Sequence, residues 1–324
     1  MRVLVVTNIT PDATTPGRGS YVRDQVAALT AAGVEADLLS FPMGRRNLAR
    51  AVAQIRRALR RERFDLVHAH YGLAGWCAAL AGAKPLVVTF HGTDVRHPTV
   101  GRLSRRLARR ADLVAGASRE LFEPAAERPG LPRPAGRSAV LPTGADLERF
   151  QPRPRAEARR RLGLDPRGRY LLFPAASFRT EKRHDRALAM AAAGEAELLT
   201  GGGIDTERMP DWVNAADAVL ITSDYEGFGL VAVEALACNV PVLSTPVGIA
   251  PTLLAGLDGC LVAPFDLFAW RIVAKRHLDA EDARVAGRRR AEWFGAGPMA
   301  ERVAVAYREV LAREPAGAAI SPRA

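Results

Sequence analysis

The stretch from Ser223 to Ala237 is SDYEGFGLVAVEALA, and it carries the clearest structural signal in this sequence. An apolar strand is predicted to end at Thr222, a glycine-containing turn follows, and a helix is predicted to begin near Gly229. A strand, a glycine turn and a helix in this order are typical of parallel α/β sheets, which bind ligands at the carboxyl ends of their strands. Because a helix start presents free backbone N–H groups, the turn is also suited to binding a phosphate.

Two glutamates in this stretch are candidates for a functional site. Glu234 lies inside the predicted helix among valine, alanine and leucine residues. Such a carboxylate is costly unless it is paired or bound to a ligand, so an internal salt bridge and a ligand contact are both open. Glu226 comes just before the helix, where it is either a carboxylate at the mouth of a cleft or an ordinary surface turn residue.

Short β-type runs alternate with helical stretches along the rest of the chain, which predicts two α/β units with parallel sheets. The predicted strands are 1–8, 34–40, 64–69, 86–90, 112–117 and 138–141, then 170–175, 197–200, 218–222 and 242–244. The predicted helices are 19–32, 48–63, 100–111, 156–162, 183–193, 229–237 and 300–313. A length of 324 residues also fits two domains.

A proline-containing stretch near residue 150 separates the two units. We therefore expect an N-terminal Rossmann-like domain at 1–152, a linker at 153–168 and a C-terminal Rossmann-like domain at 169–298. The two parallel-sheet domains are expected to face each other across a cleft. The last residues, 314–324, are expected to form a flexible tail.

The composition excludes several classes of protein. With 48% hydrophobic and 25% charged residues, the chain fits neither a disordered nor a fibrous protein. No apolar run reaches the ~18 residues of a membrane span, and the N-terminus lacks the pattern of a signal peptide. Cys77, Cys238 and Cys260 are widely spaced, so neither a disulfide framework nor a cysteine zinc site is expected. A reducing cytoplasm is the predicted compartment.

The net charge is +11, and only three of the 46 basic residues are lysines. A GC-rich genome explains this arginine bias as well as an anionic partner does. Arginines concentrate at 56–63 and 102–110, which are either solvated helix faces or a docking surface for an anionic membrane. Nucleic acid is not expected as a partner, because aromatic residues form only 6% of the chain and none interleaves these runs.

The segment from Glu226 to Gly248 resembles the retaining GT-B glycosyltransferases of family 4. Seven residues separate Glu226 from Glu234, and the sequence PVLSTPVG, which ends at Gly248, supplies the P-V-x-x-T-x-x-G turn of that family. Other segments that resemble family motifs are GRGS at 17–20, DLVHAH at 65–70, TFHGTD at 89–94 and PTGAD at 142–146. The resemblance covers about residues 1–305 and implies a GT-B fold built from the two domains predicted above.

The resemblance implies a site for a nucleotide diphosphate sugar in the C-terminal domain. Lys182 matches the lysine of the family's phosphate-binding loop. The arginine of that loop falls on Ser177, and we hypothesise that Arg179 replaces it. Glu234 is implied to bind the ribose of the donor. The residues implied to lie against the donor phosphates are Gly227, Phe228, Gly229 and Leu230, together with Gly19 of the first domain.

In the N-terminal domain, the resemblance implies that His91 and Asp94 line the acceptor side of the transferred sugar. Glu226 is implied to bind sugar hydroxyls or to stabilise the positive centre. The neighbouring histidines also suggest a metal site, but no H-E-x-x-H or cysteine pattern supports one, and the family needs no bound ion. The helix at 299–313 is implied to pack back on the N-terminal domain.

The implied reaction is the transfer of a hexose from a nucleotide diphosphate sugar, with UDP or GDP as the nucleotide, to an acceptor hydroxyl with retention at the anomeric carbon. No cofactor and no metal are expected. The setting is expected to be cell-envelope glycan, glycolipid or natural-product synthesis, in the cytoplasm or at the inner face of the plasma membrane. Two alternatives are a GT-B nucleotide-sugar epimerase or phosphorylase and a non-catalytic nucleotide-sugar-binding protein.

Overall fold

The computed structural model describes residues 1–12, 15–124, 129–175, 179–282 and 284–313. The strands of the first half are β1 (Arg2–Thr7), β2 (Glu35–Ser40), β3 (Leu66–His70), β4 (Leu86–Phe90), β5 (Leu113–Gly116) and β6 (Ser138–Val140). Its helices are α1 (Ser20–Ala31), α2 (Arg45–Arg61), α3 (Gly72–Leu80), α4 (Thr93–Arg96) and α5 (Pro98–Ala108).

The six strands of the first half form one parallel sheet in the order β2-β1-β3-β4-β5-β6. Strands β3, β4 and β5 are buried throughout because helices cover both faces of the sheet, whereas the edge strand β2 is largely exposed. In this register Thr7 pairs with His70, and His70 pairs with Thr89. The carboxyl ends of β1, β3 and β4 therefore lie side by side at one edge of the sheet.

The second half forms its own parallel sheet in the order β11-β10-β9-β7-β8. Its strands are β7 (Tyr170–Phe173), β8 (Glu197–Thr200), β9 (Ala218–Ile221), β10 (Val242–Ser244) and β11 (Leu261–Val262). Its helices are α6 (Arg155–Leu162), α7 (His184–Gly194), α8 (Met209–Ala215), α9 (Leu230–Ala237), α10 (Ala250–Leu253), α11 (Leu267–Leu278), α12 (Arg288–Ala291) and α13 (Ala296–Leu311).

Buried ion pairs attach α6 to the second sheet. Arg155 and Arg159 both pair with Asp217, which directly precedes β9. The backbone N–H of Tyr170 also donates to Asp217, at 2.7 Å. A buried carboxylate is tolerated only when its oxygens are satisfied in this way, so the three charged side chains fix the chain where it enters the second domain.

Arg288 on α12 hydrogen-bonds to backbone segments of both domains where they meet. Its guanidinium donates to the carbonyl oxygens of Phe150 at 2.8 Å and Leu147 at 2.9 Å, both at the end of the first domain. It also donates to the carbonyl oxygen of Ala237 at 2.8 Å, at the end of α9. One side chain therefore satisfies three buried acceptors at the domain junction.

The last helix, α13, lies against the first domain. Met299, Val303 and Tyr307 belong to the same buried cluster as Val3 of β1 and Leu29 of α1. The chain therefore returns to its N-terminal domain after completing the second one.

The α/β fold with two parallel sheets is confirmed, and each of the ten predicted strands lies within two residues of an observed one. The sequence patterns missed the helices α3, α8 and α11, the one-turn helices α4, α10 and α12, and the two-residue strand β11. Helix α3 has the sequence GLAGWCAAL, which is apolar or small on every side and therefore lacks a helical period. The predicted tail at 314–324 lies outside the described residues.

Candidate active site

A cleft of about 570 Å³ lies between the two domains. Residues that follow β1, β3 and β4 form one wall, and residues that follow β7 and β9 form the other. The predicted site residues that line it are Gly19, His91, Arg179, Lys182, Glu226, Gly227, Phe228, Gly229 and Leu230. Nine of the eleven predicted residues therefore meet in one cavity, and the structure places Asp94 and Glu234 elsewhere.

Lys182 and Glu226 form a tight ion pair in the wall of the cleft. The Lys182 ammonium donates to both carboxylate oxygens of Glu226 at 2.7 Å, and Ser223 Oγ donates to Glu226 Oε1 at 2.7 Å. The two charged side chains are only 17% and 15% exposed. Coulomb attraction is stronger at partly buried positions than at the surface, so this pair is held in a fixed geometry.

Gly227 marks a close approach between the two domains. A Cβ at Gly227 would clash with the carbonyl oxygen of His91, so no larger residue fits between the two loops. Gly229 directly precedes α9, and the carbonyl oxygen of the buried Phe228 accepts a hydrogen bond from Ile249 N at 2.7 Å. The first turn of α9, beginning at Leu230, lies at the cleft and contains no acidic residue. It therefore presents a partial positive charge there.

Glu234 faces a second, smaller pocket of about 110 Å³, which adjoins the glycine turn before α1. Among the residues that the structure describes, no side chain lies within hydrogen-bond or ion-pair distance of its carboxylate. Burial and the negative charge of Asp24 raise the pKa of Glu234 to about 7, and the positive charge of Arg149 opposes this rise. The salt-bridge interpretation of Glu234 is therefore wrong for the described part of the chain, and the ligand interpretation stays.

Asp94 lies behind the loop that carries His91 rather than at the cleft. It is 5% exposed, and its Oδ1 accepts from the backbone N–H groups of His91 and Gly92, both at 3.0 Å. Its Oδ2 accepts from Gly72 N at 3.1 Å, at the start of α3. Burial raises the pKa of Asp94 to about 6, although these three hydrogen bonds lower it. The geometry assigns Asp94 to shaping the loop.

His91 lines the cleft and is held from behind by a second histidine. Its Nε2 lies 2.9 Å from Nδ1 of His70, and the two ring planes are inclined by 22° with centroids 5.1 Å apart. Burial lowers the pKa of both imidazoles, to about 3 for His70. Both rings are therefore neutral at pH 7, and each has one N–H donor and one acceptor nitrogen.

Gly19 lies in the cleft wall immediately before α1, in a left-handed conformation with φ of 77°. A Cβ there would lie 2.9 Å from the carbonyl oxygen of Ile9, which follows β1. The position accepts only glycine without distortion, and it brings bare backbone to the cleft.

Arg179 lines the cleft with a side chain that is 46% exposed and pairs with Glu181 at 2.9 Å. Arg179 therefore lies in the same cavity as Lys182, where it could take the place of the arginine of the family's phosphate-binding loop. Ser177, on which that arginine falls, lies outside the described residues. The proposed replacement stays a prediction.

Sequence reasoning missed three tyrosines of the cleft. The hydroxyls of Tyr21 and Tyr71 lie 2.5 Å apart, and both rings pack against His91 with centroid distances of 5.1 and 4.7 Å. On the opposite wall, the ring of Tyr225 carries the Arg96 guanidinium at 4.4 Å from its centroid. Tyr71 directly follows the H-x-H strand end, and tyrosine occurs only five times in the chain, so its position was a usable signal.

Within the described ranges, no group of three or more His, Cys, Asp or Glu side chains is arranged to hold a metal ion. The predicted independence of metal stays a prediction. In the same part of the chain, no helix is long and apolar enough to cross a membrane.

Sequence comparisons match both halves of the chain to known families. Residues 2–149 match the model for Glycosyltransferase Family 4, and residues 180–276 match the model for Glycosyl transferases group 1. The D-inositol 3-phosphate glycosyltransferase of Thermobispora bispora is 32% identical over 314 residues, which cover 78% of this chain and 72% of that protein. The protein of the same name from Xylanimonas cellulosilytica is 30% identical, with 78% and 74% covered.

Solved structures show the same fold at low sequence identity. Sucrose-phosphate synthase of Thermosynechococcus elongatus superposes with a TM-score of 0.74 at 20% identity, covering 96% of this chain and all of that one. HepE of Anabaena, in complex with UDP and glucose, superposes with a TM-score of 0.68 at 17% identity, covering 94% and 99%. The fold, the matched motifs and the relatives agree, and the chain belongs to the GT-B glycosyltransferases of family 4, within the glycosyl transferases group 1.

Proposed function

We propose that this glycosyltransferase moves a hexose from a UDP- or GDP-sugar to an acceptor hydroxyl, with retention of the anomeric configuration and without a metal ion. The observation that carries the proposal is the meeting of Lys182, Glu226 and the start of α9 with His91 of the other domain in one cleft. The structures of HepE with UDP and with UDP-glucose support a uridine nucleotide as the first donor to test.

Charge is the main physical problem of this reaction. The leaving nucleoside diphosphate gains negative charge while the sugar carbon becomes positive. In the proposal, the Lys182 ammonium and the N–H groups at the start of α9 stabilise the diphosphate, with Arg179 at the rim. Groups fixed before the reaction supply the largest part of such stabilisation because they need not reorient. The Lys182–Glu226 pair is fixed in this sense.

Glu226 and Glu234 have different roles in the proposal. Glu226 is next to both Lys182 and the cleft, so its carboxylate binds sugar hydroxyls or stabilises the positive carbon. Glu234 has no protein partner among the described residues and faces the small pocket, so its carboxylate accepts hydrogen bonds from the ribose hydroxyls. His91 contacts the sugar from the acceptor side, and Asp94 holds the loop of His91 in place.

The acceptor is the least constrained part of the proposal. The curated relatives are named for D-inositol 3-phosphate, which makes a phosphorylated polyol the first acceptor to test. Lipid-linked glycans and natural products, which were expected from the sequence, are the next acceptors to test. The free cysteines at 77, 238 and 260 are consistent with a proposed cytoplasmic location.

We also propose that the protein docks on an anionic membrane through α2 and α5. Both helices carry exposed arginines and pack against α3, which ends at Leu80, a residue that is 61% exposed. The guanidinium of Arg56 on α2 donates to the Leu80 carbonyl oxygen at 2.7 Å. A cationic face with an apolar residue is typical of interfacial helices. Sedimentation with anionic and neutral vesicles tests this. Equal binding to both vesicle types, or binding that resists high salt, contradicts it.

Activity assays with a panel of nucleotide-sugar donors test the central proposal. Wild-type protein is incubated with UDP- and GDP-sugars and candidate acceptors, with and without a chelator, and the product's anomeric configuration is read by NMR. Lys182→Met is expected to lower kcat by about 10²–10³-fold, as removal of one preorganised donor does. Lys275→Met is the matched control, because Lys275 is 64% exposed and pairs with Asp279 on the surface.

The same reactions separate the alternatives. An epimerase changes the nucleotide sugar with no acceptor present, and a phosphorylase does so only when inorganic phosphate is supplied as the nucleophile. The proposed transferase requires the glycosyl acceptor. A non-catalytic binding protein binds the donor and releases no product with any acceptor. Inversion at the anomeric carbon, or loss of activity with the chelator, overturns the corresponding part of the proposal.

A further inference from the structure

A chain of buried hydrogen bonds runs behind His91 to the middle of α1. His91 Nε2 lies 2.9 Å from His70 Nδ1, and the other nitrogen of His70, Nε2, lies 3.3 Å from the side-chain nitrogen of Gln25. Gln25 is 4% exposed and His70 is fully buried. Because Gln25 and His70 are buried, their nitrogens hydrogen-bond within the network, and each nitrogen is either a donor or an acceptor there.

The amide of Gln25 determines those roles. Its NH₂ group only donates, so His70 Nε2 must be a bare acceptor and His70 Nδ1 must carry the proton. His70 Nδ1–H then donates to His91 Nε2, which must also be bare. His91 is therefore the Nδ1–H tautomer. Among the described residues Nδ1 of His91 has no partner, and its ring lines the cleft.

A second branch of the network supports this direction. The Gln25 nitrogen also lies 3.5 Å from Nδ1 of His68, which accepts from the Tyr307 hydroxyl at 2.6 Å. His68 Nε2 then carries the proton and donates to Thr89 Oγ1 at 2.7 Å. The one lone pair of His68 Nδ1 is taken by the Tyr307 hydroxyl, and the Gln25 side chain also hydrogen-bonds to Tyr307. The amide N–H groups of Gln25 therefore have the Tyr307 oxygen and His70 Nε2 as acceptors, and no two donors oppose each other.

We infer that Gln25 is a positioning residue that, through His70, fixes His91 with an N–H donor directed to the cleft. Turning the amide by 180° would reverse each bond, because the Gln25 oxygen requires a proton on His70 Nε2. His91 would then present a bare nitrogen, which accepts a hydrogen bond instead of donating one. The ligand oxygen that His91 recognises is therefore an acceptor, such as a sugar oxygen or a phosphate oxygen. This last step rests on the proposed function, whereas the tautomer does not.

Ring-nitrogen spectroscopy tests the inference directly. Long-range ¹H–¹⁵N correlation spectra of histidine-labelled protein distinguish protonated from bare nitrogens, and His91→Asn assigns the signals. We expect bare Nε2 and protonated Nδ1 for His91 in the wild type. In Gln25→Glu, the carboxylate only accepts, so we expect the protons of His70 and His91 to reverse. A wild-type His91 protonated at Nε2, or an unchanged tautomer in Gln25→Glu, overturns the inference.

The matched control is Thr89→Val, which removes the hydroxyl that hydrogen-bonds to His68 Nε2 and leaves the side-chain contacts of Gln25, His70 and His91 with one another intact. We expect lower thermal stability with an unchanged His91 tautomer. If Gln25→Glu does not fold, Gln25→Met serves, and there the fixed tautomer of His91 is expected to become a mixture. A single unchanged tautomer in Gln25→Met overturns the role of Gln25.

Kinetics separate this inference from the proposed function. Loss of one ligand hydrogen bond corresponds to about a tenfold fall in kcat/KM, which we expect in Gln25→Glu and not in Thr89→Val. A reversed tautomer with unchanged transferase kinetics overturns the step to the ligand and leaves the tautomer assignment intact. A reversed tautomer in a protein without transferase activity overturns the proposed function and not the role of Gln25.

Discussion

Replacing Glu234 with glutamine is expected to stabilise the protein without ligand and to weaken donor binding, because glutamine retains only one of the two acceptor oxygens. The carboxylate is partly buried, faces Asp24 and has no partner among the described side chains, so its ionised form is unfavourable in the folded state. Burial raises its pKa from the ordinary 4.5 to about 7. A difference of this size corresponds to about 3 kcal/mol at most. Solvent screening of a partly exposed side chain reduces this to about 1–2 kcal/mol.

The direction of the pH dependence follows from the raised pKa. The folded protein holds the Glu234 proton to a higher pH than the unfolded chain does, so this group favours folding below pH 4.5 and loses that contribution as the pH rises to about 7. Glutamine does not titrate. The stability advantage of Glu234→Gln is therefore expected to be small at pH 5 and to reach its full value at pH 8.

Urea unfolding of both proteins at pH 5 and pH 8 measures this advantage. Glu226→Gln is the matched control, because it breaks the ion pair with Lys182 and is expected to cost about 1–3 kcal/mol. An advantage of Glu234→Gln that does not grow between the two pH values refutes the reasoning. So does a variant that is less stable than the wild type at pH 8, because Glu234 would then have a partner in the folded protein.

Three further substitutions test the architecture around the cleft. Gly227→Ala places a methyl group against the carbonyl of His91, so we expect the domains to separate, with kcat falling at least tenfold in steady-state assays and thermal stability nearly unchanged. Arg288→Met leaves three buried carbonyl oxygens without a donor and is expected to lower the unfolding free energy by about 2–4 kcal/mol in urea titrations. Asp94→Asn turns one acceptor oxygen into an amide that faces the Gly72 N–H, so we expect kcat to fall while the KM for the donor is retained. A fall confined to the donor KM would contradict the assignment of Asp94 to the loop.

The sequence predicted much of the fold because its central strands are short apolar runs between clear turns. The position of Glu234 on an apolar helix was also predictable, and so was the meeting of Lys182 with Glu226 at one cleft. Helix α3 was not predictable, because its residues are small or apolar on all sides and show no helical periodicity of hydrophobic residues. The partners of a side chain depend on residues far apart in the chain.

Asp94 and His70 show this limit. The sequence indicated a histidine and an aspartate in one loop. It did not indicate that three backbone N–H groups, from this loop and from the start of α3, donate hydrogen bonds to the Asp94 carboxylate. His70 and His91 are 21 residues apart and meet only because β3 and β4 are neighbours in register. Composition and spacing contain no information about which ring nitrogen carries a proton.

Thermal unfolding in the presence of nucleotide sugars tests the central claim most directly. Wild type and Glu234→Gln are compared with UDP-, GDP- and ADP-sugars, each raised towards saturation. A donor at 100 times its Kd stabilises the folded state by about 2.7 kcal/mol. The account predicts this shift with one nucleotide in the wild type and a clearly smaller shift at the same donor concentration in Glu234→Gln, which lacks one acceptor oxygen. An equal shift in both proteins, or no shift with any nucleotide sugar, contradicts the assignment of Glu234 and its pocket to the donor.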